Sequence, residues 1–257
     1  MTKHIAHYGL IAGAPSSADA SALRRLDGYA RGLTKNPTLA NAPDTWAIGR
    51  AFLAEGEIAC PYSWADIESD VAWGARMEDL IGAARGDFLF FSYLYSQSAQ
   101  SWPWMKAGFD RGAKMATGMP TQWDAYRLEM YLRLFKVKLV FGVSTGVLDG
   151  LEGAGHDIGA QFRKAGRVLA LPGAWERLNA ADVDAWKVRW IGPILAVDPC
   201  DGEGAHFDHG TWSFVSDQGR LLLSNKRARM TPFVRADTGV HGAVETVGGE
   251  PRLFIES

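Results

Sequence analysis

The segment Gly204-Ala205-His206-Phe207-Asp208-His209-Gly210-Thr211-Trp212 places an imidazole and a carboxylate two positions apart. On an extended chain alternate side chains share a side, so His206 and Asp208 could hold one ion between them. A further imidazole, His241, follows 33 residues after Asp208. Two histidines and one carboxylate on one face of a metal leave the opposite positions open. That set suits non-haem Fe(II), whose open positions accept a co-substrate and O₂. Eleven residues beyond His241 stands Arg252, ahead of the apolar run Leu253-Phe254-Ile255. A guanidinium grips a carboxylate through two parallel hydrogen bonds.

These residues need elements to hold them. The last seventy residues carry short β candidates at 188–197, 211–215, 221–224, 231–235, 243–247 and 253–256, separated by turn signals at Asp201-Gly202, Asp217-Gln218-Gly219, Asp237-Thr238-Gly239 and Gly248-Gly249. Many short strands at regular spacing predict a sandwich, jelly roll or barrel. The front of the chain is mixed. A strand is expected at 3–13 and a helix at 18–33, with strand character at 46–59. Pro61 at a helix start, followed by Trp64, Ile67, Val71 and Met77 or Leu80, predicts a helix to about residue 84. GDFLFFSYLY at 86–95 reads as a buried strand and KVKLVFGV at 136–143 as a strand. Between them 123–135 alternates like a strand at Tyr126, Leu128, Met130, Leu132 and Leu134, yet Tyr126, Met130 and Leu134 share a helical face, which favours a helix. Helical pieces follow at 158–165 and 180–186. The chain reads as a single domain over 1–257, a mixed α/β front half (about 1–187) packing on a β-rich end (about 188–257).

Composition limits the classes. The chain has 257 residues, 47% hydrophobic and 22% charged, as for a globular chain with a substantial core. With 27 basic and 29 acidic residues the net charge is −2, so no broad field favours nucleic acid or an anionic membrane. The longest apolar runs, 88–95 and 137–143, are far short of a membrane span. Cys60 and Cys200 lie 140 residues apart, too few for a disulfide framework, and point to a reducing cytoplasmic setting. The N-terminal segment has a basic start and an Ala-rich end but an interrupted apolar centre, and reads as mature protein.

The segment from His206 to Phe214 resembles the catalytic end of the Fe(II)/2-oxoglutarate-dependent dioxygenases, particularly the isopenicillin N synthase-like branch, where HxD precedes a small residue, a Thr or Ser and an apolar strand. VHGAVETVGGEPRLF at 240–254 is similar to that family's second-histidine strand with its downstream arginine. The likeness covers about residues 190–257. It implies an α+β fold with a double-stranded β-helix (jelly-roll) core and flanking helices. It also implies that His206, Asp208 and His241 bind iron and act in catalysis, while Arg252 binds the distal carboxylate of 2-oxoglutarate. The implied reaction is hydroxylation or desaturation of a small molecule, with release of succinate and CO₂. Asp208 stands where an iron halogenase leaves room for chloride.

Other readings compete. Cys60 ahead of Pro61 at a helix start would have its thiol pKa lowered by the helix dipole, as in a cysteine-nucleophile hydrolase; a buried structural cysteine is the plainer alternative. A chain with ten tryptophans and a β-rich end also suits a non-enzymatic structural or carbohydrate-binding protein. Trp102-Pro103-Trp104 reads as a turn, Lys226, Arg227, Arg229 and Arg235 as a solvated face, and His209 as a neighbour of the site.

Overall fold

The computed structural model describes residues 42–93 and 98–256. The strand and helix expected at 3–13 and 18–33 lie outside them. Strands β1 (Thr45–Leu53) and β2 (Gly56–Ser63) form an antiparallel hairpin. Helix α1 (Trp64–Ile81) follows directly. Its start is set by Ser63, whose side chain accepts the Asp66 N–H while Asp66 accepts the Ser63 N–H. Gly82, left-handed at φ 70°, ends it. Pro61, expected at the helix start, sits inside β2 opposite Ile48. Ser63 captures the orphan N–H groups that fix the true boundary. Trp64 and Leu80 are exposed, whereas Ile67, Trp73, Met77 and Ile81 face inward.

The near-continuous apolar runs at 88–92 and 137–143 are buried on both faces, the pattern of parallel strands covered by helices. They form β3 (Phe88–Ser92) and β5 (Val137–Val143) of a six-stranded sheet. Its other strands are β4 (Lys114–Gly118), β6 (Arg167–Ala170), β7 (Ala185–Ile191) and β8 (Ile194–Asp198). The order is β4-β3-β5-β6-β7-β8, parallel except for β8. Leu89, Phe91, Leu139 and Phe141 turn to one face, against Trp73 and Met77 of α1 and Trp104 of α2 (Ser98–Arg111). Phe90, Val140 and Val143 turn to the other, against α3 (Ala125–Leu134), α4 (Thr145–Gly153), α5 (Ile158–Phe162) and α6 (Ala174–Ala180). Each such side chain contributes about 1.5–3 kcal/mol of burial. Gly74 lets α1 and α2 close: a Cβ there would meet the Trp104 Cα at 3.1 Å.

Trp102-Pro103-Trp104 lies within α2 and not in a turn, and Trp104 is 2% exposed. The burial of its ring outweighs the backbone cost of an internal proline. The strand expected over 188–197 is folded at Gly192-Pro193 into the β7–β8 hairpin. The helical piece expected at 180–186 splits instead between the end of α6 and the start of β7.

The expected jelly roll is replaced by a mixed α/β architecture. Strands β9 (Trp212–Asp217), β10 (Arg220–Asn225), β11 (Ala236–Val247) and β12 (Glu250–Ile255) form one antiparallel meander in the order β12-β11-β10-β9. Each strand pairs with its sequence neighbour, through turns at Gln218-Gly219 and Gly248-Gly249 and a longer connection between β10 and β11. The inward face packs on the β1–β2 hairpin and on Ile191, Ile194 and Ala196. The short β candidates were legible, but β7 and β8 belong to the parallel sheet. Residues 231–235 are connection, and the meander packs on the β1–β2 hairpin and on β7 and β8 instead of closing into a roll.

Candidate functional site

In the six-stranded sheet the chain runs from β3 to its neighbour β4, then crosses to β5 on the other side of β3. Such a reversal sends the connecting helices to opposite faces, and the C-terminal strand ends diverge into a crevice. A cavity of about 200 Å³ lies at this edge, lined by Tyr93 just past β3, by Thr117, Gly118 and Met119 at the end of β4, and by Trp123, Asp124, Tyr126 and Arg127. Gly118 has no room for a side chain, since a Cβ would lie 2.8 Å from Phe90 Cζ. Asp124 fixes the turn: one oxygen accepts the Met119 N–H at 2.6 Å and the other accepts from Arg127 Nε at 2.9 Å. Ser144, just past β5, also ties down this turn. Its hydroxyl donates to the Pro120 carbonyl at 2.9 Å and accepts the Val147 N–H, capping α4. Trp123 is 71% exposed and Tyr126 64%. Two large rings in water beside a glycine-lined crevice are the kind of apolar surface that marks a binding site. The cavity therefore offers aromatic faces and one guanidinium at the strand ends.

The residues expected to bind iron are placed elsewhere. His206 lies in the segment bridged to Val197 of β8, with N–H and C=O both paired to that residue. Burial, and then the nearby Arg252 guanidinium, hold its imidazole below the usual range. Asp208 is buried and accepts from Arg76 Nη2 at 2.7 Å and from the Gly210 N–H. His241 is exposed on β11, opposite Arg220 of β10. Among the described residues no three His, Cys, Asp or Glu side chains gather closely enough to hold a metal ion. Arg252 is buried and donates to Glu250 at 2.8 Å, a partner from its own strand. His209 Nε2 lies 3.8 Å from the same glutamate.

Cys60 is buried in β2, and burial pushes its thiol up to about 11. A thiol held neutral in the core is no nucleophile. Arg229, expected on a solvated face, is also buried. It pairs with both oxygens of Asp70 at 2.8 Å and stacks on Tyr62 and Trp212.

The crevice at 117–127 escaped sequence reasoning. Its signal was Thr117-Gly118-Met119-Pro120, a turn sequence behind a short strand in a region of alternating strands and helices. Two apolar parallel strands framing it would have placed that turn at a sheet edge.

No protein-family model matches the chain. No curated protein matches it. Its fold nevertheless resembles part of several solved CoA ligase structures. An open conformation of 2-hydroxyisobutyryl-CoA ligase in complex with 2-HIB-AMP and CoA superposes with a TM-score of 0.68 at 13% identity, over 87% of this chain and 60% of that one. The o-succinylbenzoate CoA synthetase of Bacillus subtilis, bound with a product analogue, gives 0.54 at 8% identity over 82% of this chain and 49% of that one. An ATP-bound RpMatB-BxBclM chimera gives 0.55 at 11% identity over 83% and 48%. The chain thus spans roughly half to three-fifths of these structures. The likeness is one of fold, and it overturns the expected kinship with Fe(II)/2-oxoglutarate dioxygenases. With it go the iron, the 2-oxoglutarate and the oxidative reaction, which rested on short motifs alone. The hydrolase and carbohydrate-binding alternatives find no support either. Among the described residues no helix is long and apolar enough to cross a membrane.

Proposed function

We propose that this chain is the nucleotide-binding part of an adenylate-forming, carboxylate-activating ligase, and that the crevice at the ends of β3 and β4 takes the adenylate. The observation that supports this reading is the position of the crevice at the C-terminal ends of the parallel strands β3 and β4, the end at which open α/β sheets bind their ligands. The fold-mates were crystallised with 2-HIB-AMP, ATP and CoA, which makes an acyl-adenylate the natural ligand class. In the reaction a carboxylate attacks the α-phosphorus of ATP, pyrophosphate leaves, and the acyl group then passes from AMP to a thiol. The chain's own residues supply binding and orientation. Trp123 and Tyr126 present faces on which a purine stacks. Arg127, steered by Asp124, favours the phosphate.

Calorimetric titration with AMP and ATP tests the reading. Saturable binding that Trp123→Ala weakens is the expected result. A correctly folded protein that binds neither nucleotide would overturn it. Carboxylate-dependent exchange of pyrophosphate into ATP then decides whether this length of chain also carries out activation.

A further inference from the structure

A second cavity, of about 30 Å³, lies between α1, α2 and the β7–β8 hairpin, and nothing in the adenylate reading uses it. Four of the ten tryptophans meet there: Trp73, Trp104, Trp190 and Trp212. Asp70 and Asp208 also line it, and among the described lining residues there is no lysine or arginine. Indole faces carry negative electrostatic potential and attract cations, and carboxylates add formal charge. Gln100, in the same wall, holds a buried Oε1 with no hydrogen-bond partner, while its Nε2 donates to the Arg50 carbonyl.

The protein's own cations already use these groups from outside the cavity. The Arg76 guanidinium lies 5.2 Å from the Trp73 ring and pairs with Asp208. The Arg229 guanidinium lies 4.8 Å from the Trp212 ring and pairs with Asp70. Burial pushes the Asp70 carboxyl up, Arg229 draws it back down, and Asp208 and Asp66 add a smaller upward push. We propose that the cavity binds the ammonium head of a small primary amine, held against the indole faces with Asp208 and Gln100 Oε1 as acceptors. The volume suits one such head, since about 10–15 Å³ holds a water. Half-buried Trp190 and the half-exposed Arg76 side chain put this wall at the surface, where the rest of the amine would emerge.

The test is a titration of the whole chain with methylammonium chloride against sodium chloride at equal ionic strength, with methanol as the uncharged control, read by tryptophan fluorescence without nucleotide. A saturable change specific to methylammonium, with a millimolar midpoint weakened about tenfold or more in Asp208→Asn, is expected. Failure to saturate by about 100 mM, an equal response to methanol, or a response to sodium would overturn the proposal. So would an unaltered midpoint in the variant. If Asp208→Asn does not fold, Trp190→Leu gives the same decision. Because no nucleotide is present, the outcome is independent of the adenylate reading.

Discussion

Gly142 lies against Ser92 where β5 leaves β3: a Cβ on Gly142 would stand 2.1 Å from the Ser92 carbonyl oxygen. Gly142 has φ +81°, and the β5–β6 register shifts across it. The close approach sits at the C-terminal ends of the two strands. Substituting Gly142→Ala combines left-handed strain with a backbone clash, and should cost roughly 2–4 kcal/mol. Urea unfolding checks this. An unchanged midpoint would mean that the strand ends shift freely.

A second expectation concerns Arg229 and Asp70. Both guanidinium nitrogens of the pair are engaged at 2.8 Å, and the Arg229 side chain is 4% exposed. Arg229→Met strands a buried carboxylate and should destabilise by about 3–5 kcal/mol. Adding Asp70→Leu removes the stranded charge, so the double variant should recover much of that loss. Thermal melts of the four proteins give the coupling directly. A double variant no better than the single would refute the charge argument.

Glu78 gives a pH dependence. It is fully buried between α1 and α2 with Arg111 at 3.2 Å, one of its oxygens unpartnered. Burial raises its carboxyl from 4.5 to about 7, against the opposing pull of Arg111. A carboxyl raised on folding binds its proton more tightly in the native state. Its contribution is therefore present below pH 4.5 and is lost as pH rises through about 7. The loss is about 3 kcal/mol at most. Glu78→Gln should flatten stability between those pH values; a curve as steep as that of the native chain would exclude Glu78 as its source.

The two cysteines should differ in chemistry. Cys60 is buried with its thiol near 11, whereas Cys200 is exposed. Iodoacetamide at pH 8 should label Cys200 in the native protein and reach Cys60 only after unfolding. Peptide mass spectrometry reads both sites, and native labelling of Cys60 would contradict its burial.

Much of the fold was legible locally. The apolar runs of β3 and β5 and the turns at Gln218-Gly219 and Gly248-Gly249 stand where periodicity and turn residues put them, while α3 resolves to a helix a stretch whose alternation also suited a strand. Long-range assembly was not. Nothing local says that β7 joins a parallel sheet while β9 begins a separate meander, because both are short, β-branched or aromatic segments ended by turns. His206 and Asp208 stand two apart as the pattern required, but β8 takes the first residue's backbone and Arg76 takes the second residue's carboxylate. Spacing alone cannot see such competing partners. Arg229 failed as a surface residue for the same reason: its counter-ion lies 159 positions away.

The connection between β10 and β11 has a mechanical role. Its Arg229 reaches Asp66 and Asp70 of α1, its Met230 N–H donates to Asp66, and its Thr231 hydroxyl donates to the Pro61 carbonyl. These anchors tie the C-terminal meander to the first helix and hairpin at a buried point. Loosening either partner exposes the other's unpaired polar groups. The two layers should therefore open cooperatively, with their slowest-exchanging amides released in a single event.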